Sequence, residues 1–435
     1  MHKGGIFMIK KDVLQVAVLG AGTVGTGVYK VIDGLQEDME HRIGCGLVIS
    51  KILVRDASKE REGVDASLLT DQWSEIINDA DIDIVVEVMG GIEPAKTYII
   101  EALTAGKSVV TANKDLMAEH GRQLLDLAEE HHCDLMFEAS VAGGIPILRP
   151  LKHCLAGNHM SEIIGIVNGT TNFILSKMTE EGCGFEETLK LAQDLGYAES
   201  DPTADVEGLD AARKMAIMAS IAFHSRVTFG DVYTEGITKI TEKDIAYAKE
   251  MDRVIKLLGV AKNTEEGIEV KVHPMLIDHN HPLASVNDSF NAVFVRGDAV
   301  GDVMFYGRGA GELPTASAVV GDILETARHI KNECTGETGC TCYKNIPIKP
   351  SLESESKYFV RLQVEDRAGT LAGISSVFGN NAVSIERLAQ KNSKDNIAEI
   401  VVITHKVKEK DITNSLTILK TMPLVKSIDS VIRVY

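Results

Sequence analysis

The chain lacks any apolar run approaching the roughly 18 residues that a bilayer-crossing helix needs, so no membrane-spanning architecture is expected. Its opening, MHKGGIFMIKK, breaks its apolar residues with lysines and does not read as a secretory leader. Basic residues are in short supply: 45 lysines and arginines stand against 63 aspartates and glutamates, a net charge of −18. The cations are also scattered rather than gathered into a stripe, and such a surface repels a polyphosphate backbone, which argues against nucleic acid as a partner. Seven cysteines, an odd number, do not make a disulfide framework, and a reducing cytoplasmic setting is the simpler expectation. What is present is the composition of an ordinary globular protein, 44% hydrophobic and 25% charged. At 435 residues the chain exceeds one comfortable core, and roughly one domain per 150 residues gives about three.

From about Leu14 to Phe137 short apolar runs (LQVAVLG, VISKILV, IDIVVEVMG, SVVTAN, CDLMF) alternate with amphipathic segments. Strands alternating with helices predict an α/β fold, a Rossmann-type doubly wound parallel sheet. Residues 140–311 lack that rhythm: strands such as IIGIVNG and FNAVFVRG are mixed with several helices, which predicts an α+β domain. A helix-like segment at 312–332 is expected to pack back on the first domain, 1–139. Residues 333–355 have linker composition. The remainder, 356–435, has the order βαββαβ and predicts a small ferredoxin-like domain able to fold on its own.

Gly20-Ala21-Gly22-Thr23-Val24-Gly25 follows the apolar strand and opens a helix. The first glycine permits a tight turn and the second lets the backbone approach a pyrophosphate, so Gly20, Gly22, Thr23, Val24 and Gly25 are cofactor-binding candidates. The acid expected about 20 residues further on comes late, because HRIGCG extends the first helix before the second strand. That strand ends at Val54 and leads into Arg55 and Asp56, with Lys59 and Arg61 behind. Aspartate suits a ribose hydroxyl and arginine a 2′-phosphate; the reading leans to NADP through Arg55 and leaves NAD open.

The stretch Leu195-Gly-Tyr-Ala-Glu199-Ser-Asp201-Pro-Thr-Ala-Asp205-Val-Glu-Gly-Leu-Asp210-Ala-Ala-Arg-Lys214 precedes the apolar run MAIMASIAF. A helix starting after Pro202 is implied. It would place Asp210 and Lys214, four apart, on one face near the interior. An ordinary surface ion pair has the same spacing. The functional reading is that Lys214 exchanges a proton with a carbonyl or alcohol oxygen, Asp210 orients it, and Glu199 holds a substrate cation, with Asp201 and Asp205 competing for that task.

GAGTVG, TANK (Thr111–Lys114), FEASVAGGIPI (Phe137–Ile147), GIVNGTTNFIL (Gly165–Leu175), LGYAESDPTADVEGLDAARK and FYGRGAGELPTASAVVGDI together resemble homoserine dehydrogenase, in family order. The resemblance implies NAD(P)-dependent interconversion of L-homoserine and L-aspartate 4-semialdehyde by a homodimer or higher homo-oligomer. It makes Lys214 and Asp210 the catalytic pair, and Glu199 a substrate ligand. Lys114 would face nicotinamide and substrate and share the proton transfer. Thr170 can cap a helix or touch substrate, capping being favoured by its place, and Gly311 is expected to return near the cofactor. FEASVAGGIPI matches a segment that binds a structural sodium ion through a carboxylate and main-chain oxygens, here Glu138, Val141, Gly143 and Ile145. Cys334, Cys340 and Cys342 lack a fourth ligand of usual spacing and read as linker thiols rather than a zinc site.

The segment from Tyr358 to Ile374 resembles the start of an ACT domain, with Ala368 in place of the usual proline and Gly369 retained. Such domains pair through their sheets and commonly bind threonine, so feedback by an amino acid is expected. Two rivals remain at this stage. A semialdehyde dehydrogenase acting through a thioester would need an activated cysteine, and a noncatalytic sensor would not need Asp210 and Lys214.

Overall fold

Parallel pairing of short apolar strands makes the first layer. The structure is a computed structural model that describes residues 11–337, 339–394 and 396–435; residues 1–10 of the opening segment lie outside them. The chain divides into two units. One runs to Gly157 and takes in Ser220–Thr228 and Gly307–Lys344; the other comprises Asn158–Ala219, Phe229–Tyr306 and Asn345–Tyr435.

The first unit holds a six-stranded parallel sheet in the spatial order Leu69–Thr70, Gly46–Leu53, Val13–Leu19, Ile82–Glu87, Ser108–Thr111, Leu135–Met136. The order reverses between Val13–Leu19 and Ile82–Glu87, and in open α/β sheets ligands bind at the carboxyl ends of strands at such a switch point. Val16, Val18, Ile84, Val86 and Val110 form the core with Val28 and Ile32 of the helix Thr23–Asp33. Each such fully buried side chain contributes about 1.5–3 kcal/mol. Ala316, Val319, Val320 and Ile323 of the helix Glu312–Asn332 join that core. The approach is close: a Cβ on Gly27 would lie 2.7 Å from the Glu312 carbonyl oxygen.

The first helix is not extended by HRIGCG as expected. It stops at Asp33 and a separate helix, Gln36–Ile43, follows, ended by Gly44 at φ +75°. Glycine removes the Cβ clash of that left-handed position.

The second unit is built on one continuous mixed sheet. Phe290–Gly297, Met160–Ile166, Arg253–Thr264 and Gly267–Asp278 lie side by side, antiparallel where they pair. Next come Val425–Val434, Glu355–Glu365, Ile397–Thr404 and Ile385–Lys394, the four-stranded antiparallel sheet of the βαββαβ domain. Helices Thr370–Asn380 and Glu409–Thr421 cover one of its faces, enclosing Tyr358, Val360, Leu362, Ile374, Phe378 and Ile400. The C-terminal domain is therefore not a tethered bead. Its last strand pairs in parallel with Gly267–Asp278, Met275 opposite Arg433 and Leu276 opposite Val434.

The segment with linker composition is also tied down. Gly336 N–H donates to Asp134 Oδ1 at 2.9 Å, and Ile268 exchanges main-chain bonds with Pro347 and Lys349 at 2.8 Å each. Small and polar residues were the sequence signal for a loose loop, whereas backbone pairing, to which composition is blind, fixes it.

Candidate active site

In the glycine turn, Gly20 sits at φ +107° and a Cβ on Gly25 would lie 1.9 Å from the Gly20 carbonyl oxygen, so the turn closes only without side chains. Gly22 is the opposite case: no heavy atom lies within 4 Å of where its Cβ would be, and it starts the helix Thr23–Asp33 without a side-chain cap. The first-turn N–H groups of Thr23 and Val24 are thus left for an anion, which the positive helix end also attracts. Gly311, at φ +122°, begins the helix that packs against this one, and Lys30 pairs with Glu312 at 2.7 Å.

At the end of the second strand, Asp56 is taken up by its own turn. Its Oδ1 accepts from the Ser58 hydroxyl at 2.6 Å and from the Ser58 N–H at 2.9 Å, bonds that lower its carboxyl below the usual range. Arg61 folds back onto the carbonyls of Asp56 and Lys59. Arg55 and Lys59 are both exposed and neither side chain has such an engagement among the described residues, so both can meet an anion, and Arg55 has the planar fork suited to a phosphate.

TANK is a knot of hydrogen bonds. Thr111 donates to the buried Glu87 carboxylate at 2.6 Å, Asn113 accepts from Leu116 N–H as helix cap, and Lys114 opens the helix Lys114–Glu130. A cation in a first helical turn opposes the helix dipole, so helix stability does not explain Lys114. Glu87, which also accepts from the N–H groups of Met89 and Gly90, was missed from sequence although an acid ending an apolar strand is a usable signal.

The second unit holds the lysine and its acids. The expected single helix after Pro202 is two, Thr203–Val206 and Leu209–Phe223, broken at Gly208 with φ +79°. The break puts Asp210 in the first turn of the longer helix, where its charge is favoured. Lys214 Nζ donates to Asp210 Oδ2 and to the Val167 carbonyl, both at 2.7 Å, and its side chain is only 12% exposed, so it does not project into bulk water. An ammonium has three donors, and these bonds use two.

Asn168 organises the cluster and was not singled out from sequence. Its Nδ2 donates to Asp205 Oδ1 at 2.7 Å and Asp210 Oδ2 at 2.9 Å, while its Oδ1 caps the helix Gly169–Glu181 by accepting from Thr171 N–H. An asparagine before a helix start is a cap signal; that the same amide would bridge two carboxylates 37 and 42 residues away is a tertiary fact. Two carboxylates against one lysine leave the cluster one negative charge in excess, the complement of an ammonium.

Thr170 does not cap the helix: its hydroxyl donates to the Tyr197 carbonyl at 2.7 Å and ties the helix to the GYAE segment. Glu199 is exposed, its main-chain oxygen accepting from Gln193. Asp201 is taken up by the Thr203 hydroxyl and N–H, which lower its carboxyl. Of the three competing acids, Asp205 is the one bonded into the lysine cluster. Lys256, also missed, is buried against Asn172 Oδ1, the Val286 carbonyl and Asn287 Oδ1, and burial lowers it to about 8.

The carboxylate of Glu138 is largely taken up by main-chain donors. It accepts from the N–H groups of Ile147, Leu148 and Arg149 at 2.5, 2.8 and 2.7 Å, the hydrogen bonds that a carboxylate 2% exposed requires. The cavity of about 20 Å³ beside it is also lined by Arg149 and Lys152, which repel a cation. Gly143, at φ +55°, packs against the Gly309 carbonyl, and Val141 and Ile145 are buried. Nearby, burial pushes the Asp322 carboxyl up to about 7, with Arg149 opposing. Among the described residues no cluster of three His, Cys, Asp or Glu side chains is arranged to hold a metal.

Comparison with known proteins gives a consistent assignment. The family profile described as homoserine dehydrogenase matches residues 146–324, that of the homoserine dehydrogenase NAD binding domain residues 20–138, and that of the ACT domain residues 358–423. The homoserine dehydrogenase of Bacillus subtilis is 46% identical over 97% of this chain and 98% of its own length; that of Corynebacterium glutamicum is 48% identical over 96% and 95%. The crystal structure of a homoserine dehydrogenase from Thiobacillus denitrificans superposes with a TM-score of 0.93 at 38% identity, covering 97% of this chain and 98% of that one. A hyperthermophilic archaeal homoserine dehydrogenase in complex with NADPH shares 28% identity, covering 72% of this chain and 97% of that one, with a TM-score of 0.62. The chain is an oxidoreductase and belongs to the homoserine dehydrogenase family.

Proposed function

We propose that the chain interconverts L-homoserine and L-aspartate 4-semialdehyde with Lys214 handling the proton at the substrate oxygen. The observation that carries this is the ammonium of Lys214, fixed by Asp210 and Val167 with a third donor left over. In the reducing direction Lys214 gives its proton to the carbonyl oxygen; in the oxidising direction it takes the proton from the alcohol. Asp210 orients it and Lys114 shares the task. A bound nicotinamide supplies or accepts the hydride. Asp205 and Glu199 hold the substrate ammonium, and Thr170 shapes the segment that carries Glu199.

The first unit fits NADP, with NAD not excluded. Thr23 and Val24 receive the pyrophosphate, Gly20, Gly22, Gly25 and Gly311 leave it room, and Arg55 takes the 2′-phosphate. A structural sodium ion would draw chiefly on the main-chain oxygens of Glu138, Val141, Gly143 and Ile145, since the Glu138 carboxylate already accepts three N–H groups. We further propose a homodimer or larger homo-oligomer, for which the exposed Met304 and Tyr306 of the edge strand Gly301–Arg308 offer apolar surface, and threonine as an effector acting through the ACT domain. Homoserine oxidation assayed with NAD and NADP, each with and without threonine, tests the reading; absence of turnover with either cofactor overturns it.

A further inference from the structure

Two thiols that the reaction does not use stand together beyond the helix Glu312–Asn332. Cys340 and Cys342 are separated by Thr341 alone, and the Cys340 sulfur accepts from both the thiol and the main-chain N–H of Cys342. The Cys342 sulfur also lies 3.6 Å from the Ser220 carbonyl oxygen. The residues that follow hold the segment in place: the Tyr343 ring stacks on His224 with centroids 4.9 Å apart, and Lys344 N–H donates to the His224 carbonyl at 2.8 Å. All of these residues belong to the first unit.

The surroundings give the two sulfurs different roles. Lys152 stands over the Phe137 ring at 4.9 Å and forms no ion pair among the described residues. Burial lowers its ammonium, and Cys340 is the strongest of the groups that oppose that loss. The hydrogen bond from the Cys342 thiol is the chief cause that lowers the Cys340 thiol to about 6; burial and Asp126 act against it, while the Cys342 N–H and Lys152 add to it. The same bond, and then burial, push Cys342 up, with Arg226 and Lys152 opposing. At neutral pH Cys340 is therefore the thiolate and Cys342 keeps its proton. Both are half-buried rather than sealed, which leaves a path for a small oxidant.

We propose that Cys340 and Cys342 form an oxidative modification site for hydroperoxides, with Cys340 as the attacking thiolate and Cys342 as the resolving thiol. The Cys340 sulfur attacks one peroxide oxygen, the O–O bond breaks, and the departing hydroxide takes a proton from solvent, leaving a sulfenic acid. The Cys342 sulfur then attacks that of Cys340; the S–O bond breaks and the hydroxyl leaves as water with the Cys342 proton. The two thiols have lost two electrons, the peroxide is reduced to water, and a Cys340–Cys342 bridge remains. A dithiol reopens it by thiol–disulfide exchange, each of its own sulfurs giving up one electron as they join. The closed loop is too short to act as a staple, which suits a bridge that forms and is removed.

The test uses the full-length protein, alkylated with iodoacetamide over a series of pH values and read by peptide mass spectrometry, and then treated with hydrogen peroxide. Alkylation of Cys340 should reach half its plateau rate near pH 6, the lowered value of its thiol, which is about 6. Cys342→Ala should move that midpoint toward about 8.5, the value of a free thiol. Peroxide should remove two hydrogen atoms from the wild-type peptide that spans both cysteines, and dithiothreitol should restore them. In Cys342→Ala the reaction should stop at a sulfenic acid that dimedone traps on Cys340. A wild-type midpoint at the free-thiol value overturns the proposal, as does peroxide that oxidises the exposed Cys154 while leaving this peptide unbridged. Both of those readings come from the wild type and do not depend on the folding of a variant.

Discussion

The glycine turn of the first unit and the acid cluster of the second are made by opposite means. The dinucleotide turn works by leaving side chains out: Gly25 has no room for a Cβ, and Gly22 leaves open space over the helix start. The acid cluster works by putting side chains in, with Asn168, Asp205, Asp210 and Lys214 joined by bonds of 2.7–2.9 Å. A backbone-built site is local and tolerates substitution of its surroundings but not of its glycines. A side-chain-built site depends on several distant segments and degrades in steps as partners are removed.

The largest effect expected on that contrast is Lys214→Ala. Loss of a proton-transfer group costs about 10²–10⁴ in kcat, with cofactor affinity retained because the turn is untouched; near-normal kcat removes the lysine from the chemistry. Gly25→Ala should do the reverse. Its Cβ would meet the Gly20 carbonyl at 1.9 Å, and overpacking of about 1–3 kcal/mol should weaken dinucleotide binding and lower the melting temperature; full affinity would show that the turn adapts.

Asn168→Ala comes next. It removes a helix cap worth about 1 kcal/mol and leaves Asp205 and Asp210 unbridged, so KM for homoserine should rise more than a cap alone explains, while Asn168→Ser restores the cap without restoring KM. Arg55→Ala should weaken NADPH by about 1.5–3 kcal/mol, the value of a hydrogen bond to a charged group, and NADH hardly at all. Equal losses would overturn the assignment of Arg55.

The smallest effect concerns pH and the frame of the first unit. His329 Nδ1 lies 2.7 Å from Asp134 Oδ2, and that bond raises the imidazole above its ordinary value. The raised folded value means that the pair stabilises fully below about pH 6.5, the unfolded value, and loses its contribution as pH rises through the folded value. His329→Gln should therefore narrow the difference in melting temperature between pH 6 and pH 8. An unchanged difference would show that the pair carries no net stability.

Much of the fold was legible because its signals are local. Alternating apolar runs announced the parallel sheet, and the βαββαβ order announced the C-terminal domain. The strand Gly267–Asp278 shows where that logic stops. Glu269, Lys271 and His273 alternate with Ile268, Val270 and Val272, a pattern that reads as one face in water, yet all six are buried. Lys271 reaches Glu409, and Glu409 in turn holds Arg433 and Tyr358, so the second face is covered by partners from the ACT domain. Likewise Glu138 carries the right residue type for an ion ligand, but the three N–H groups that occupy it come from residues 9–11 positions further on.

The sequence by itself determined the glycine turn, the spacing of Asp210 and Lys214 on one helical face, and the order of elements, because each depends on residues within a few positions of one another. Tertiary structure alone decided which of the three competing acids joins the lysine cluster, that Asn168 bridges two carboxylates, and that the ACT sheet continues the neighbouring one. Those outcomes depend on which buried charges find partners across tens to hundreds of residues, a matter of position in space that no local pattern encodes.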